Sequence, residues 1–293
     1  MAKIREIRKR IKAVGNIKRI TKTMQMIATS KFARAQQRAT ATKPYTEGVF
    51  ELVTELAATA GNISHPLING PVGGAKDAKG ELTLVITSDR GLCGPYNGSV
   101  LRTAMAHLRA NPAAMNGSIE LVGKKGVNFL KFNKVAVSQQ HTVGDKPEFD
   151  VVARLADEFM ERFISGDVTA VRVVYMRFES VGRQKPEVRQ LLPLKPPAAA
   201  ERKAGGSASL YEFSPDADEL LNELLPTTVR ATLLQCFNDA IVSEHGARMV
   251  AMKSATDNAG KMGKLLTRRY NRARQAQITT ELTEIISGAA ALE

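Results

Sequence analysis

The stretch MAKIREIRKRIKAVGNIKRITKTM, Met1 to Met24, decides the fold reading of this chain. Its apolar side chains and the next one along fall at Ile4, Ile7, Ile11, Val14, Ile17, Ile20, Met24 and Ile27. Steps of three and four place them on one helical stripe, and the extra step of three reads as a stammer in a coiled-coil seam. Pro44 is the predicted end of this helix, because the residue before a proline is pushed out of the helical region. At about 1.5 Å per residue, some 40 residues make a rod of roughly 60 Å, longer than a single small domain needs.

The far end of the chain has the same character. Val229, Leu233, Leu234, Phe237, Ile241, Met249, Met252, Met262, Leu265, Leu266, Ile278, Leu282, Ile285 and Ile286 lie at mostly helical spacings. Pro226 is predicted near the start of this second helix, since a proline inside it costs about 3 kcal/mol. Gly246, Gly260 and Gly263 each weaken it by about 1 kcal/mol relative to Ala. Two long helices with narrow apolar seams cannot bury themselves separately, so an antiparallel coiled coil of the two is expected. The last stretch, QITTELTEIISGAAALE from Gln277 to Glu293, then outruns its partner. Such a tail frays in water unless something covers it.

Charge concentrates on these two helices. Residues 1–43 carry thirteen Lys and Arg side chains against Glu6 alone, and residues 248–274 carry eight against Asp257. Like charges four apart cost a few tenths of a kcal/mol each, so a one-sided face calls for an acidic partner more than a solvated surface does. The whole chain has a net charge of +13. Nucleic acid is one alternative, a basic coiled coil being a fair DNA ligand, but aromatics make up 5% of the chain and Trp is absent, which disfavours base stacking. Cys93 and Cys236 are the only cysteines, with no metal-type spacing around them, and a reducing cytoplasm fits that usage. No apolar run is long enough to span a bilayer, so membrane association is expected to be peripheral.

Between the helices the period changes. ELTLVITS (Glu81 to Ser88), SIELVGKKG, KVAVSQQ and VTAVRVVYMRFES read as strands, with SVLRTAMAHLRA (Ser99 to Ala110) and FDVVARLADEFMERFI as helices, and EVRQLLPL as a further strand. Alternation of this kind predicts a Rossmann-like α/β domain with a largely parallel sheet, inserted into a helical hairpin. NGPVGGAKDAKG (Asn69 to Gly80) and KPPAAAERKAGGSASL (Lys195 to Leu210) read as linkers. The expected division is therefore 1–68 for the first coiled-coil helix, 69–210 for the α/β insertion and 211–293 for the second helix.

SDRGLCGPYNG (Ser88 to Gly98) follows a strand and precedes a helix, where doubly wound domains bind ligands. It matches neither GxxxxGK[ST] nor GxGxxG, and it reads best as a structured turn in which Asp89 and Arg90 hold the loop. Cys93 has no histidine with a local signature among His65, His107, His141 and His245, and a buried small apolar role suits it. No catalytic, cofactor-binding or metal-binding residue is assigned.

IKRITKTMQMIATSKFARAQ, SDRGLCG and EHGARMVAMKSATDNAGK with YNRARQAQITTELTEIISGAAAL, in that order, resemble the γ subunit of F-type ATP synthase. The resemblance runs from end to end and implies a central-stalk rotor, not a catalyst. It implies partners too: three α and three β subunits around the coiled coil, with the ε subunit and the membrane-embedded c ring at the foot. Proton-driven rotation of the c ring would be coupled through the shaft to ATP synthesis at the β subunits. By the same resemblance residues 278–293 enter the apolar collar of the α/β ring, and Met24, Arg248, Arg274, Gln275, Thr279, Glu281 and Glu284 are the coupling residues that meet partner subunits. The loop departs from the family in reading Pro-Tyr-Asn-Gly after Cys93-Gly94, where Gly-Leu-Asn is usual. Residues 195–210 lack the cysteine pair of plant chloroplast members. With no extension before the matched region, a bacterial enzyme at the cytoplasmic face of the inner membrane is expected, bound to the membrane only through the complex.

Overall fold

The computed structural model describes residues 2–59, 65–70, 80–194 and 217–290. Most of both expected linkers, residues 71–79 and 195–210, lies outside the described residues. The elements are α1 (Ala2–Thr59), α2 (Pro66–Asn69), β1 (Leu82–Ile86), α3 (Tyr96–Ala110), α4 (Pro112–Met115), β2 (Ser118–Val122), α5 (Lys125–Phe132), β3 (Gln139–His141), α6 (Phe149–Ile164), β4 (Val171–Phe178), β5 (Gln184–Leu192) and α7 (Ala217–Ala290). They form two compact units, one of residues 1–30 with 248–293 and one of residues 31–247. Each terminal helix thus supplies its outer part to the first unit and its inner part to the second.

The second unit is built on a five-stranded sheet in the order β3-β2-β1-β4-β5. β1 pairs in parallel with β2 and with β4, β2 in parallel with β3, and only β5 runs antiparallel, against β4. Strand alternation sorts the side chains onto two faces. Leu82, Leu84, Ile86, Val171, Val173 and Tyr175 pack with α6 and the inner part of α7, through Phe159, Phe163, Leu233 and Phe237. Val85, Ile119, Leu121, Val174 and Met176 pack on the other side with α3 and α5, through Val100, Ala104, Leu108 and Leu130. Helices on both faces leave β1 buried along its whole length, which explains why its sequence is apolar at every position but Thr83.

Two buried carboxylates tie this sheet to its surroundings. Glu120, about 1% exposed, accepts hydrogen bonds from Arg162 Nη1 at 2.6 Å and lies 2.6 Å from His141 Nε2. Glu81 accepts from Arg172 Nε at 2.8 Å. Burial pushes the Glu81 carboxyl up, but hydrogen bonds from Arg172 and Asn111 and the charges of Arg172 and His107 carry it below the usual range.

The prolines depart from expectation. Pro44 and Pro226 both lie inside their helices, α1 continuing to Thr59 and α7 starting at Ala217. A proline leaves the carbonyl four residues back without its donor. Those carbonyls belong to Thr40 and Asn222, both on exposed positions where water can replace the missing N–H. KVAVSQQ departs as well, because only Gln139–His141 pairs as a strand. Val135 is instead buried in the connection after α5, its N–H bonded to Leu130 O at 3.0 Å.

Candidate functional site

The first unit consists of the outer parts of α1 and α7. Thr256 lies against Thr21, with 2.8 Å between their hydroxyls. A Cβ on Gly260 would meet Lys18, and one on Gly263 would come 4.0 Å from Val14. Residue numbers fall along α1 as they rise along α7, so the two helices run antiparallel.

The seam that holds them is more regular than the apolar pattern suggests. On α1 the less exposed positions are Ile4, Ile7, Ile11 and Val14, then Thr21, Met24, Gln25 and Ala28; all but Met24 fall on one line of three–four steps that passes through the exposed Lys18. Along that line the steps alternate without the extra three that the apolar residues suggested. Ile17, Ile20 and Ile27, read as seam residues, are 52%, 58% and 54% exposed. On α7 the seam runs through Met252, Thr256, Ala259, Gly263, Leu266, Tyr270, Ala273 and Gln277, while Met262 and Leu265 are about half exposed. Small and hydroxyl-bearing residues let the backbones approach, and larger apolar residues are turned outward.

Beyond Gln277 every position of α7 whose side chain is described is exposed. Ile278, Leu282, Ile285 and Ile286 are 52–70% exposed. At about 100° per residue they form one stripe along the tail, with Arg274 and Glu281 on one flank and Gln275 and Thr279 on the other. Thr279 Oγ1 donates to Gln275 O at 3.0 Å, and Gln277 Nε2 donates to Glu281 Oε1 at 2.6 Å. Glu284 sits further round the helix, exposed. Met24 is half-buried on α1, and Arg248 is 9% exposed at the beginning of the α7 segment. All seven expected coupling residues therefore belong to this unit, five of them clustered on its free end.

The loop after β1 is a closed hydrogen-bonded turn. Asn97 Oδ1 accepts from Ser88 N at 3.0 Å, and Asn97 Nδ2 donates to Ser88 Oγ at 2.8 Å and lies 3.2 Å from Cys93 Sγ. Asp89 Oδ1 accepts from Lys124 N at 3.2 Å, and Arg90 takes part through its carbonyl, which accepts from Ser88 Oγ at 2.7 Å. Leu92 takes a left-handed φ of 62° to close the turn. Cys93 is 2% exposed, and its sulfur lies within hydrogen-bonding reach of Ser88, Arg90 and Asn97. The histidines lie elsewhere: His65 caps α2 through Nδ1, His107 lies 3.9 Å from Glu81, His141 is held by Glu120, and His245 is buried.

The profile of the ATP synthase family matches residues 3–292. The chain is 40% identical over 300 residues to the ATP synthase gamma chain of Rhodopirellula baltica, covering all of both chains. It is 40% identical over 303 residues to that of Paracoccus denitrificans, again covering all of both. The chain belongs to the ATP synthase gamma chain family. A solved structure of Euglena gracilis mitochondrial ATP synthase (OSCP/F1/c-ring, rotational state 3) contains a chain of the same fold, with TM-score 0.66, 18% identity and coverage of 99% of this chain and 95% of that one. Membership of the gamma chain family makes the paired terminal helices and the exposed stripe on α7 the features to explain. No helix among the described residues is long and apolar enough to cross a membrane.

Proposed function

We propose that this chain is the central-stalk rotor subunit of an F1Fo ATP synthase. It couples proton-driven rotation of the c ring to ATP synthesis at the β subunits. The observation that carries this reading is the exposed stripe of Ile278, Leu282, Ile285 and Ile286, on a helix continuing past the end of its antiparallel partner. Four large apolar side chains in water on one helical face are unfavourable by roughly 1 kcal/mol or more each unless covered. A surrounding sleeve of α and β subunits covers them without requiring a fixed mate at one angle. Full-length identity to gamma chains supports the same assembly.

In this reading the chain performs no chemistry itself. Three α and three β subunits surround the shaft, and the ε subunit and c ring meet the α/β insertion, so the chain is held to the cytoplasmic face of a bacterial inner membrane through the complex. Residues 1–68 and 211–293 serve the shaft and residues 69–210 the foot. Met24, Arg248, Arg274, Gln275, Thr279, Glu281 and Glu284 are its coupling residues. Arg274 and Gln275 supply N–H donors to passing β-subunit loops, strongest where the acceptor is a carboxylate. A basic face of one sign is read at each rotary position by acidic loops.

The test mixes the purified chain with matching α and β subunits and follows assembly and ATP hydrolysis, with and without residues 278–293. A stable complex whose turnover requires this chain, while the chain alone is inert, is the expected result. Turnover by the isolated chain, or failure to assemble, overturns it.

A further inference from the structure

The α/β unit carries a half-open cavity of about 540 Å³ between the inner part of α1, the β4–β5 pair and α7. Its walls carry Lys43, Arg177 and Arg189 together with Glu179, Glu187 and Asp239. The charges balance in number but not in place. On the sheet they satisfy one another: Arg177 Nη1 lies 3.4 Å from Glu187 Oε2, Arg183 holds Glu179 at 2.7 Å, and Arg189 is hydrogen-bonded to Tyr175.

The α7 wall is different. Asp239 accepts from Gln235 Nε2 at 2.8 Å and from the backbone of Phe178, and no described cation forms an ion pair with it. Gln235, one turn earlier, has committed its N–H to Asp239, and its buried Oε1 has no donor. One acceptor on this helical face, Gln235 Oε1, thus lacks the donor that a buried acceptor requires, and the Asp239 carboxylate beside it has two donors but no cation in direct contact. Water can donate to both groups but cannot neutralise a partly buried carboxylate. An ammonium does both, bringing three N–H donors and a positive charge. A bare cation would face Lys43, Arg177 and Arg189 across the same cavity, so the complementary molecule also carries an oxyanion. The volume lies in the roughly 300–1,000 Å³ range of small-ligand sites.

We propose that this cavity binds a small zwitterion, its ammonium seated on Asp239 and Gln235 and its oxyanion directed to Lys43 and Arg177. The inference stands apart from the rotor reading, since it concerns the α/β unit and needs no partner subunit.

Calorimetric titration of the full chain with δ-aminovalerate tests it, with valerate and pentylamine as singly charged controls. The zwitterion is expected to bind at least about tenfold more tightly than either control, and Asp239→Asn to weaken it about tenfold, a loss of about 1.4 kcal/mol. Gln235→Met, which removes the orphaned acceptor, reads the same loss should Asp239→Asn fail to fold. Lys43→Met is expected to weaken the zwitterion and leave pentylamine unchanged. Absence of binding at millimolar concentration, equal binding of a control, or undiminished affinity in Asp239→Asn or Gln235→Met each overturns the proposal.

Discussion

Thr256 and Thr21 place their hydroxyls 2.8 Å apart in the buried seam between the two terminal helices. Each hydroxyl also has a carbonyl of its own helix within reach, Met252 O at 2.8 Å for Thr256 and Ile17 O at 3.0 Å for Thr21. A hydroxyl has one proton, so whichever threonine donates across the seam, the other donates to its own backbone. The pair is satisfied in either direction. It marks one register in a seam whose neighbours, Ala28, Ala259 and Gly263, would tolerate others.

Replacing one partner leaves the other able to bond only along its own helix. Thr21→Val is therefore expected to cost about 1 kcal/mol, and Thr256→Val a similar amount. The double valine variant removes both polar groups and is expected to lie within about 1 kcal/mol of the parent, because paired apolar replacements are often neutral. Denaturant unfolding of the four proteins in a double-mutant cycle checks this. Strictly additive losses would mean that the hydrogen bond contributes nothing.

This pair also shows where the sequence could and could not be read. The helical period, the antiparallel pairing and the parallel sheet follow from apolar spacing, and helix α6 coincides with FDVVARLADEFMERFI. The seam itself does not follow, because a search for large apolar residues selects Ile17, Ile20 and Ile27, while burial goes to Thr21, Ala28, Thr256 and Ala259. Close helix approach rewards small side chains, and a threonine can be buried when its proton has a carbonyl to reach. A search for three–four steps that admits Ala, Gly and Thr follows the α7 line from Met252 to Ala273, but on α1 it still breaks at Lys18 and Gln25. Pro44 and Pro226 misled for a related reason: their cost depends on whether the orphaned carbonyl is exposed, which local sequence does not state. Gln235 and Asp239 gave no signal, since polar residues one turn apart on a helix ordinarily face water. The coupling role proposed for the residues around Arg274 rests on resemblance to a family motif; the apolar stripe that they flank was legible as spacing.

Asp239 gives a pH dependence whose sign is fixed by burial. Desolvation, only partly offset by hydrogen bonds from Gln235 and Phe178 and by the charges of Arg177 and Arg189, pushes its carboxyl from 3.8 up to about 6. The folded protein thus holds this proton where the unfolded chain releases it. Stability from this group is expected to fall as pH rises from about 4 to about 6 and to stay low above that, by at most about 3 kcal/mol. Asp239→Asn should flatten that slope and raise the melting temperature at neutral pH. Melting curves of both proteins from pH 4 to pH 8 check it, and a variant less stable than the parent at pH 7 would show that the charge is compensated.

Gly117 sits where β2 begins against the chain entering β1. A Cβ there would lie 1.9 Å from Glu81 O and 2.7 Å from Glu81 N, both backbone atoms that cannot swing aside. Ser118 N donates to Glu81 O at 3.0 Å, so moving the strands apart also breaks the first bond of the sheet. Gly117→Ala is expected to destabilise the α/β unit by about 2–3 kcal/mol. Gly144→Ala, whose Cβ meets nothing within 4 Å but whose φ is +74°, separates backbone strain from steric overlap and is expected to cost about 1 kcal/mol. Equal losses in chemical denaturation would remove close approach as the reason for glycine at 117.

Breaking Glu120 tests the buried ion cluster. Glu120→Ala removes the acceptor of Arg162 and His141, which are themselves only partly buried and can regain water. The loss is therefore expected near 2 kcal/mol, below the 3–5 kcal/mol typical of fully buried pairs. Hydrogen exchange is expected to concentrate the loosening at β3, the edge strand that carries His141. Uniform loosening across the sheet would place the role of Glu120 elsewhere.

Arg274 and Gln275 are exposed on α7 beside the tail stripe, and no packing of their own unit depends on them. Removing them should leave the helix pair intact, because its seam passes through Tyr270, Ala273 and Gln277. Arg274→Ala with Gln275→Ala is therefore expected to leave assembly with α and β subunits near parental while lowering coupled ATP synthesis at least about tenfold, the scale of a lost charge-assisted hydrogen bond. Leu282→Ser with Ile285→Ser attacks the stripe instead, and its first effect should be on assembly, since it lowers the apolar area that a sleeve would cover. The two double variants thus separate transmission of torque from seating of the shaft. Membrane vesicles energised by respiration give synthesis, and co-purification of the subunits gives assembly. Parallel loss of both in the Arg274 and Gln275 variant would make these residues part of the seat and leave coupling to other contacts.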